Sequence, residues 1–458
     1  MKGLAFAIAA LVSSTCAQYM KRLGMPRYTS RKPVSRQEGN QTGSAWPYGP
    51  FSTRGRDIVN SRGEVVTWAG VNWPMSGETM VPEGVEWASI DQILDDVESV
   101  GFNYIRMGYA IEMVDQIYDR EGEDVPLEVA MITALGFVNG TRVTNDIIRN
   151  NPSWTRETTR FEIWSDIAAA AFERGIFISP DVHVSKASWC CSHTDGNAWF
   201  GDVHFDAARW RRGLAHVAGW ARAHPNNMVW LDLGGETLVG NFSAGADAIH
   251  AANPDVLILW GGMQYGQDLS ALTSGANYLT APCYKCTAIR DAARREPRVF
   301  DIDAHAWSRK LVFELHLYKM SEDQDTGTCA VIEAGLYRNG FNALGIDTPA
   351  ACGNATTGGD CPRASRLTPV IFSEFGNGQD DTLWTDTLQT CLREYTVKHG
   401  VSWMVWGLAG SYRVRSGAQG VPDSWGLTNY EWNGWNHPAT IEGVWKPWVK
   451  AMNPTRKS

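Results

Sequence analysis

The chain has 458 residues, 44% of them apolar and 20% charged, with a formal net charge of −9. That is enough for one large barrel with insertions or for two domains, and the composition is ordinary for a globular core. The acidic balance and the lack of a polybasic face argue against a nucleic-acid partner.

Residues 1–17 have the form of a secretory signal: Lys2, an apolar run from Leu4, and a small-residue cleavage site at Thr15-Cys16-Ala17. The run is too short to span a bilayer, and no later stretch is long enough. We expect an exported protein without a membrane anchor. Residues 18–50 are polar and rich in Gly, Pro, Ser and Arg, which reads as a flexible lead-in or pro-segment. Residues 51–458 are then one domain. Of the nine cysteines, Cys16 leaves with the signal, and the even remainder in an exported chain favours disulfides of undetermined pairing. Cys283-x-x-Cys286 resembles half a zinc site, but no second pair at similar spacing exists. Sequons at Asn40, Asn139, Asn241 and Asn354 agree with export.

The first strand is expected at 65–73, followed by a Pro/Gly loop. Ser89 caps the next helix with Gln92 three residues on, Ile90, Ile93, Leu94 and Val97 form its apolar face, and Gly101 ends it. A second strand is expected at 103–109. A connection of some fifty residues leads to a helix over 161–174. The third strand falls at 176–184, a helix at 206–223, and the fourth and fifth strands at 228–233 and 256–260. The sixth, seventh and eighth fall at 311–318, 369–375 and 401–407, with helices near 382–399 and 440–452. Eight strands alternating with helices predict an α/β fold, a (β/α)8 barrel. The longest connections follow the second, fifth and sixth strands, where they would wall the mouth. The loop at 319–368 holds three cysteines and a sequon, so it is expected to be stapled and exposed.

The chemistry sits at strand ends. Arg106, His183, Glu236, His316 with Tyr318, Glu374 and Trp406 all fall where barrel strands stop. A polar group there is costly to bury without a partner. A lone strand-end histidine is more often a satisfied core residue, but a set at successive strand ends of one barrel converges on one cavity. Two facing glutamates are the equipment of glycoside hydrolysis. The 21 tryptophans offer flat platforms suited to sugar rings, with about half expected to fill the core.

In order, these residues resemble glycoside hydrolase family 5, the cellulase-like retaining β-glycosidases, over roughly residues 50–452. The stretches Gly70-Val-Asn-Trp-Pro74 and Asp181-Val-His-Val-Ser-Lys-Ala-Ser-Trp-Cys-Cys-Ser192 resemble its fungal secreted members. The resemblance implies Glu374 as nucleophile and Glu236 as acid/base, with their carboxyls about 5 Å apart. It implies that Arg106 and Tyr318 support Glu374, that His183 and His316 position substrate and acid/base, and that Trp406 floors the subsite of the cleaved sugar. It implies a polysaccharide or oligosaccharide partner, no cofactor or metal, and a monomer. Gly235 departs from the family, which places Asn before the acid/base to contact the sugar 2-hydroxyl. Two main readings follow: a secreted endo-acting β-1,4-glucanase, with mannan and other β-glucans also open, or a glycan-binding protein with weakened or lost turnover. A structural cell-wall protein on the same barrel is a third.

Overall fold

A computed structural model describes residues 49–74, 77–189, 195–197, 202–224, 229–231, 239–273, 301–318, 328–352, 361–379 and 383–453. The expected signal, most of the lead-in, and Cys190, Cys191, Cys283 and Cys286 lie outside these.

Eight strands form one sheet. They are β1 (Ala69–Trp73), β2 (Tyr104–Ala110), β3 (Phe177–Val184), β4 (Val229–Leu231), β5 (Ile258–Gly261), β6 (Leu311–Tyr318), β7 (Val370–Gly376) and β8 (Trp403–Trp406). Their hydrogen-bonded order is β3-β2-β1-β8-β7-β6-β5-β4, and every ladder is parallel. The end strands β3 and β4 touch, so the sheet curls round on itself as the (β/α)8 reading requires. β1 starts later than expected: Val65 is 54% exposed and makes only an isolated bridge to Val59.

Helix α1 (Ile90–Val100) begins at Ser89, whose side chain accepts the Gln92 amide, and stops at Gly101 with φ 92°. A side chain there would be strained, and glycine is the usual solution. The connection after β2 is helical rather than open. It carries α2 (Ile111–Asp119), α3 (Leu127–Leu135) and α4 (Phe137–Asn150) before α5 (Arg160–Glu173). α3 and α4 are split by Gly136, whose φ of 79° breaks the helical run. A reciprocal capping box, Thr159 with Glu162, opens α5. Asp206 caps α6 (Ala207–Ala221) by accepting two backbone amides. The remaining long helices are α7 (Val239–Ala252), α8 (Cys329–Arg338), α9 (Thr387–His399) and α10 (Lys446–Met452).

Past β8 the chain forms an unanticipated hairpin, β9 (Ser411–Arg415) with β10 (Ala418–Pro422). Among the described residues the loop after β6 is stapled twice: Cys329–Cys391 joins α8 to α9, and Cys352–Cys361 links two cysteines at a sequence separation of 9. More than half of the tryptophans are buried. Trp403 on β8, for example, packs on Trp448 with centroids 4.3 Å apart. No helix among the described residues is long and apolar enough to cross a membrane.

Candidate active site

Two ladder irregularities shape the mouth of the barrel. On β3, Val182 and Val184 pair with the adjacent residues Tyr109 and Ala110 of β2, so His183 is one residue too many. On β7, Phe372 and Glu374 pair with the adjacent Leu315 and His316 of β6, and Ser373 is the extra residue. The β8 ladder shifts at the same place. Bulges of this kind re-aim side chains beside active sites. Here one brings Glu374 level with His316.

Glu374 is 6% exposed. Its Oε1 accepts a hydrogen bond from Arg106 Nη1, and its Oε2 accepts one from Tyr318 Oη at 2.9 Å. His316 Nδ1 stands 3.6 Å from the same oxygen. Burial alone would raise the Glu374 pKa. The charges of His316, Arg106 and His183, with the Arg106 hydrogen bond, outweigh it and hold the carboxyl at about 2. Burial and the neighbouring Glu374 charge push the Tyr318 hydroxyl well above its ordinary value, so it remains a donor.

Arg106 is itself fixed on three sides. Nη1 also donates to Asn72 Oδ1 at 2.9 Å, and Nη2 pairs with Asp181 Oδ2 at 3.0 Å. Asn72 in turn donates to the carbonyls of Ser373 and Val405 at 3.0 and 3.2 Å, tying β1 to β7 and β8. The Asp181 carboxylate also meets His183 Nδ1 at 3.0 Å. Burial would lower the His183 pKa, but the Asp181 hydrogen bond and charge raise it overall. The His183 ring lies nearly parallel to Trp406, centroids 5.7 Å apart and planes at 18°. Trp406 and Gly407 are joined by a cis peptide.

Six of the seven sequence-nominated residues therefore meet at one mouth: Arg106, His183, His316, Tyr318, Glu374 and Trp406. Glu236 and Gly235, and with them the expected carboxyl spacing, lie outside the described residues. Sequence reasoning gave no role to Asp181, Asn72, Glu314 or Trp189. Glu314 is fully buried, accepts from Ser373 Oγ, and lies 3.6 Å from His316 Nε2. Its signal was present: Glu314, His316 and Tyr318 recur every second residue, which puts them on one face of β6. Gly266 packs on the His316 ring, where a Cβ would come within 2.9 Å of it. Trp189 meets Trp406 edge to face at 6.4 Å and helps line the hollow that holds Arg106, His183 and Asp181.

An ionised carboxylate held by a guanidinium and a phenol suits nucleophilic attack on an electrophilic carbon. The cellulase model of glycosyl hydrolase family 5 matches residues 59–411. A glycosyl hydrolase 5 family protein of Chamaecyparis obtusa is 29% identical over 410 residues, 86% of this chain and 65% of that protein. An endoglucanase of Paenibacillus polymyxa is 22% identical over 47% of this chain and 51% of its own length. The chain thus spans less than two thirds of these curated relatives. Among solved structures, the catalytic domain of the major endoglucanase of Xanthomonas campestris superposes with a TM-score of 0.57. It is 15% identical, over 88% of this chain and 99% of that one. The hyperthermophilic endocellulase of Pyrococcus horikoshii gives 0.54 at 16% identity, over 90% of this chain and 100% of that one. At these identities the two structures speak for the fold alone.

Proposed function

The chain belongs to glycosyl hydrolase family 5, the cellulase family, and from that premise we propose that it is an exported retaining β-glycosidase that cuts β-1,4-linked glucan within the chain. The observation that carries this reading is the Glu374 carboxylate, kept ionised by Arg106 and hydrogen-bonded by Tyr318 at the end of β7. In the first step Glu374 attacks the anomeric carbon and forms an ester bond to it. The glycosidic bond breaks, and Glu236 gives its proton to the departing oxygen. In the second step Glu236 takes a proton from water, the water oxygen attacks the same carbon, and the ester bond to Glu374 breaks. Trp406, braced by His183, floors the subsite of the attacked sugar. Export is supported by the two disulfides among the described residues, since such bonds persist in oxidising compartments.

Gly235 favours a second reading, a glycan-binding protein with little turnover. Contacts to the sugar 2-hydroxyl strengthen in the transition state, and glycine has no side chain to make one. Release of reducing ends from carboxymethylcellulose separates the two. The enzyme reading expects release by the wild type and none by Glu374→Ala. A silent wild type that still binds cellohexaose supports the second.

A further inference from the structure

Asn139, Gly140 and Thr141 form one of the sequons, and the structure sets it on a cleft outside the barrel. Asn139 is the third residue of α4. It lines the cleft with Trp87, Arg142, Tyr430 and Gly420 of β10. The hollow measures about 540 Å³, within the roughly 300–1,000 Å³ of small-molecule sites. Trp87 and Tyr430 are 39% and 40% exposed and meet edge to face at 5.6 Å. They make an aromatic corner open to solvent.

The asparagine amide is aimed. Its Oδ1 accepts from Arg142 Nε at 3.1 Å and from Nη2 at 2.7 Å. A guanidinium has no acceptor, so it fixes which end of the amide is the oxygen. Nδ2, the atom that carries the sugar in N-glycosylation, therefore faces the other way, where it donates to Gln419 Oε1 on β10. The Gln419 residue is exposed, with room for its side chain to turn aside. Next to it Tyr430 Oη donates to the Gly420 carbonyl at 3.1 Å, which sets the Tyr430 ring beside the hairpin. On the outer flank Phe137 and Val138 are 74% and 83% exposed. They are adjacent apolar side chains that a sugar chain on Asn139 would shield.

We propose that Asn139 carries an N-linked glycan whose first N-acetylglucosamine docks in this cleft against Trp87 and Tyr430. The proposal rests on the export reading given above. In the transfer, Nδ2 bonds to the anomeric carbon of an oligosaccharide carried on a lipid diphosphate in the secretory pathway. The bond from that carbon to the diphosphate oxygen breaks, the lipid diphosphate leaves, and Nδ2 gives up one of its two protons. The second proton and Oδ1 remain for hydrogen bonds. Transfer to the unfolded chain requires no opening of the cleft. A pyranose offers its apolar C–H face to the aromatic rings, and its hydroxyls and acetamide suit Arg142 and Asp146 on the same wall. The tether decides the occupant. A sugar bonded at the edge of the cleft is present at an effective concentration on the order of millimolar, so weak stacking is enough to seat it. Once seated, it bridges α4 to the β9–β10 hairpin.

The test uses the full chain made in a glycosylating host, once behind its own residues 1–17 and once behind the host's signal. Peptide mass spectrometry is expected to find N-acetylglucosamine on Asn139 and none there in Thr141→Ala. Peptide N-glycosidase, which cuts the sugar from the asparagine, then reads the docking. A seated sugar shields its linkage, so release from Asn139 of the native protein should be slow. Trp87→Ala or Tyr430→Ala is expected to speed that release about five- to tenfold, with release at any other occupied sequon unchanged. Trp87→Phe should stay near the wild-type rate. A secreted protein with a bare Asn139 overturns the proposal. So does release that both alanine variants leave unchanged, or that they hasten equally at every sequon, which is the mark of general loosening. The two readings fail separately. Protein held inside the cell behind its own residues 1–17, yet secreted with the shielded sugar behind the host's signal, defeats the export reading alone. Protein secreted behind either leader with Asn139 bare or its sugar unshielded defeats the docked glycan alone.

Discussion

The charge state of Glu374 depends on its neighbours. It is buried, and burial works against ionisation, so its value of about 2 is maintained by surrounding positive charge. Arg106→Gln removes one of those charges and the hydrogen bond. The Glu374 pKa should then rise by about one to three units. Because the attacking form is the anion, the acid limb of the kcat/KM profile should move to higher pH by a similar amount. A variant whose rate falls with no displacement of that limb would contradict this role. The same depression links Glu374 to stability. Its contribution is fully present above the ordinary carboxylate value near 4.5 and is lost as pH falls toward 2. At this scale the sequence was informative where a polar residue ended an apolar run, as at Glu374 and His183. It was less so for Asp181 and Asn72. Both were visible within quoted stretches, but their work is to hold Arg106, which only the folded register displays.

At the scale of elements, caps and strand ends were legible because they rest on local chemistry. Ser89 and Gly101 bound α1 as their residue types dictate. The capping box of α5 leads to a test: Thr159→Ala should cost about 1 kcal/mol in urea unfolding, and no change would mean that water replaces the cap. Bulges were not legible. An extra residue in β3 or β7 is defined only against the neighbouring strand, and nothing in the run Val-Ile-Phe-Ser-Glu-Phe-Gly marks Ser373 as the supernumerary one. The helices α2 to α4 were also missed. In α3 the apolar residues run round the helix, so no clear stripe separates it from a strand or a loop.

At the scale of the molecule, the parallel order of eight strands follows from their alternation with helices, and the comparisons place the chain in its family. What composition could not supply is how distant segments are fastened. Cys329–Cys391 spans a sequence separation of 62, and by loop-closure entropy such a link is worth about 4 kcal/mol. Cys329→Ala with Cys391→Ala should lower the denaturant midpoint accordingly, and an unchanged midpoint would mean that α8 and α9 are held by packing alone.

The most direct test of the whole account is covalent trapping. A fluorinated β-cellobioside with an activated leaving group slows turnover of a glycosyl-enzyme, and peptide mass spectrometry then locates the attached sugar. One fluorinated cellobiosyl group is expected on the peptide containing Glu374, with β-configured product released from normal substrate. A sugar on another residue, or α-configured product with no adduct, would contradict it.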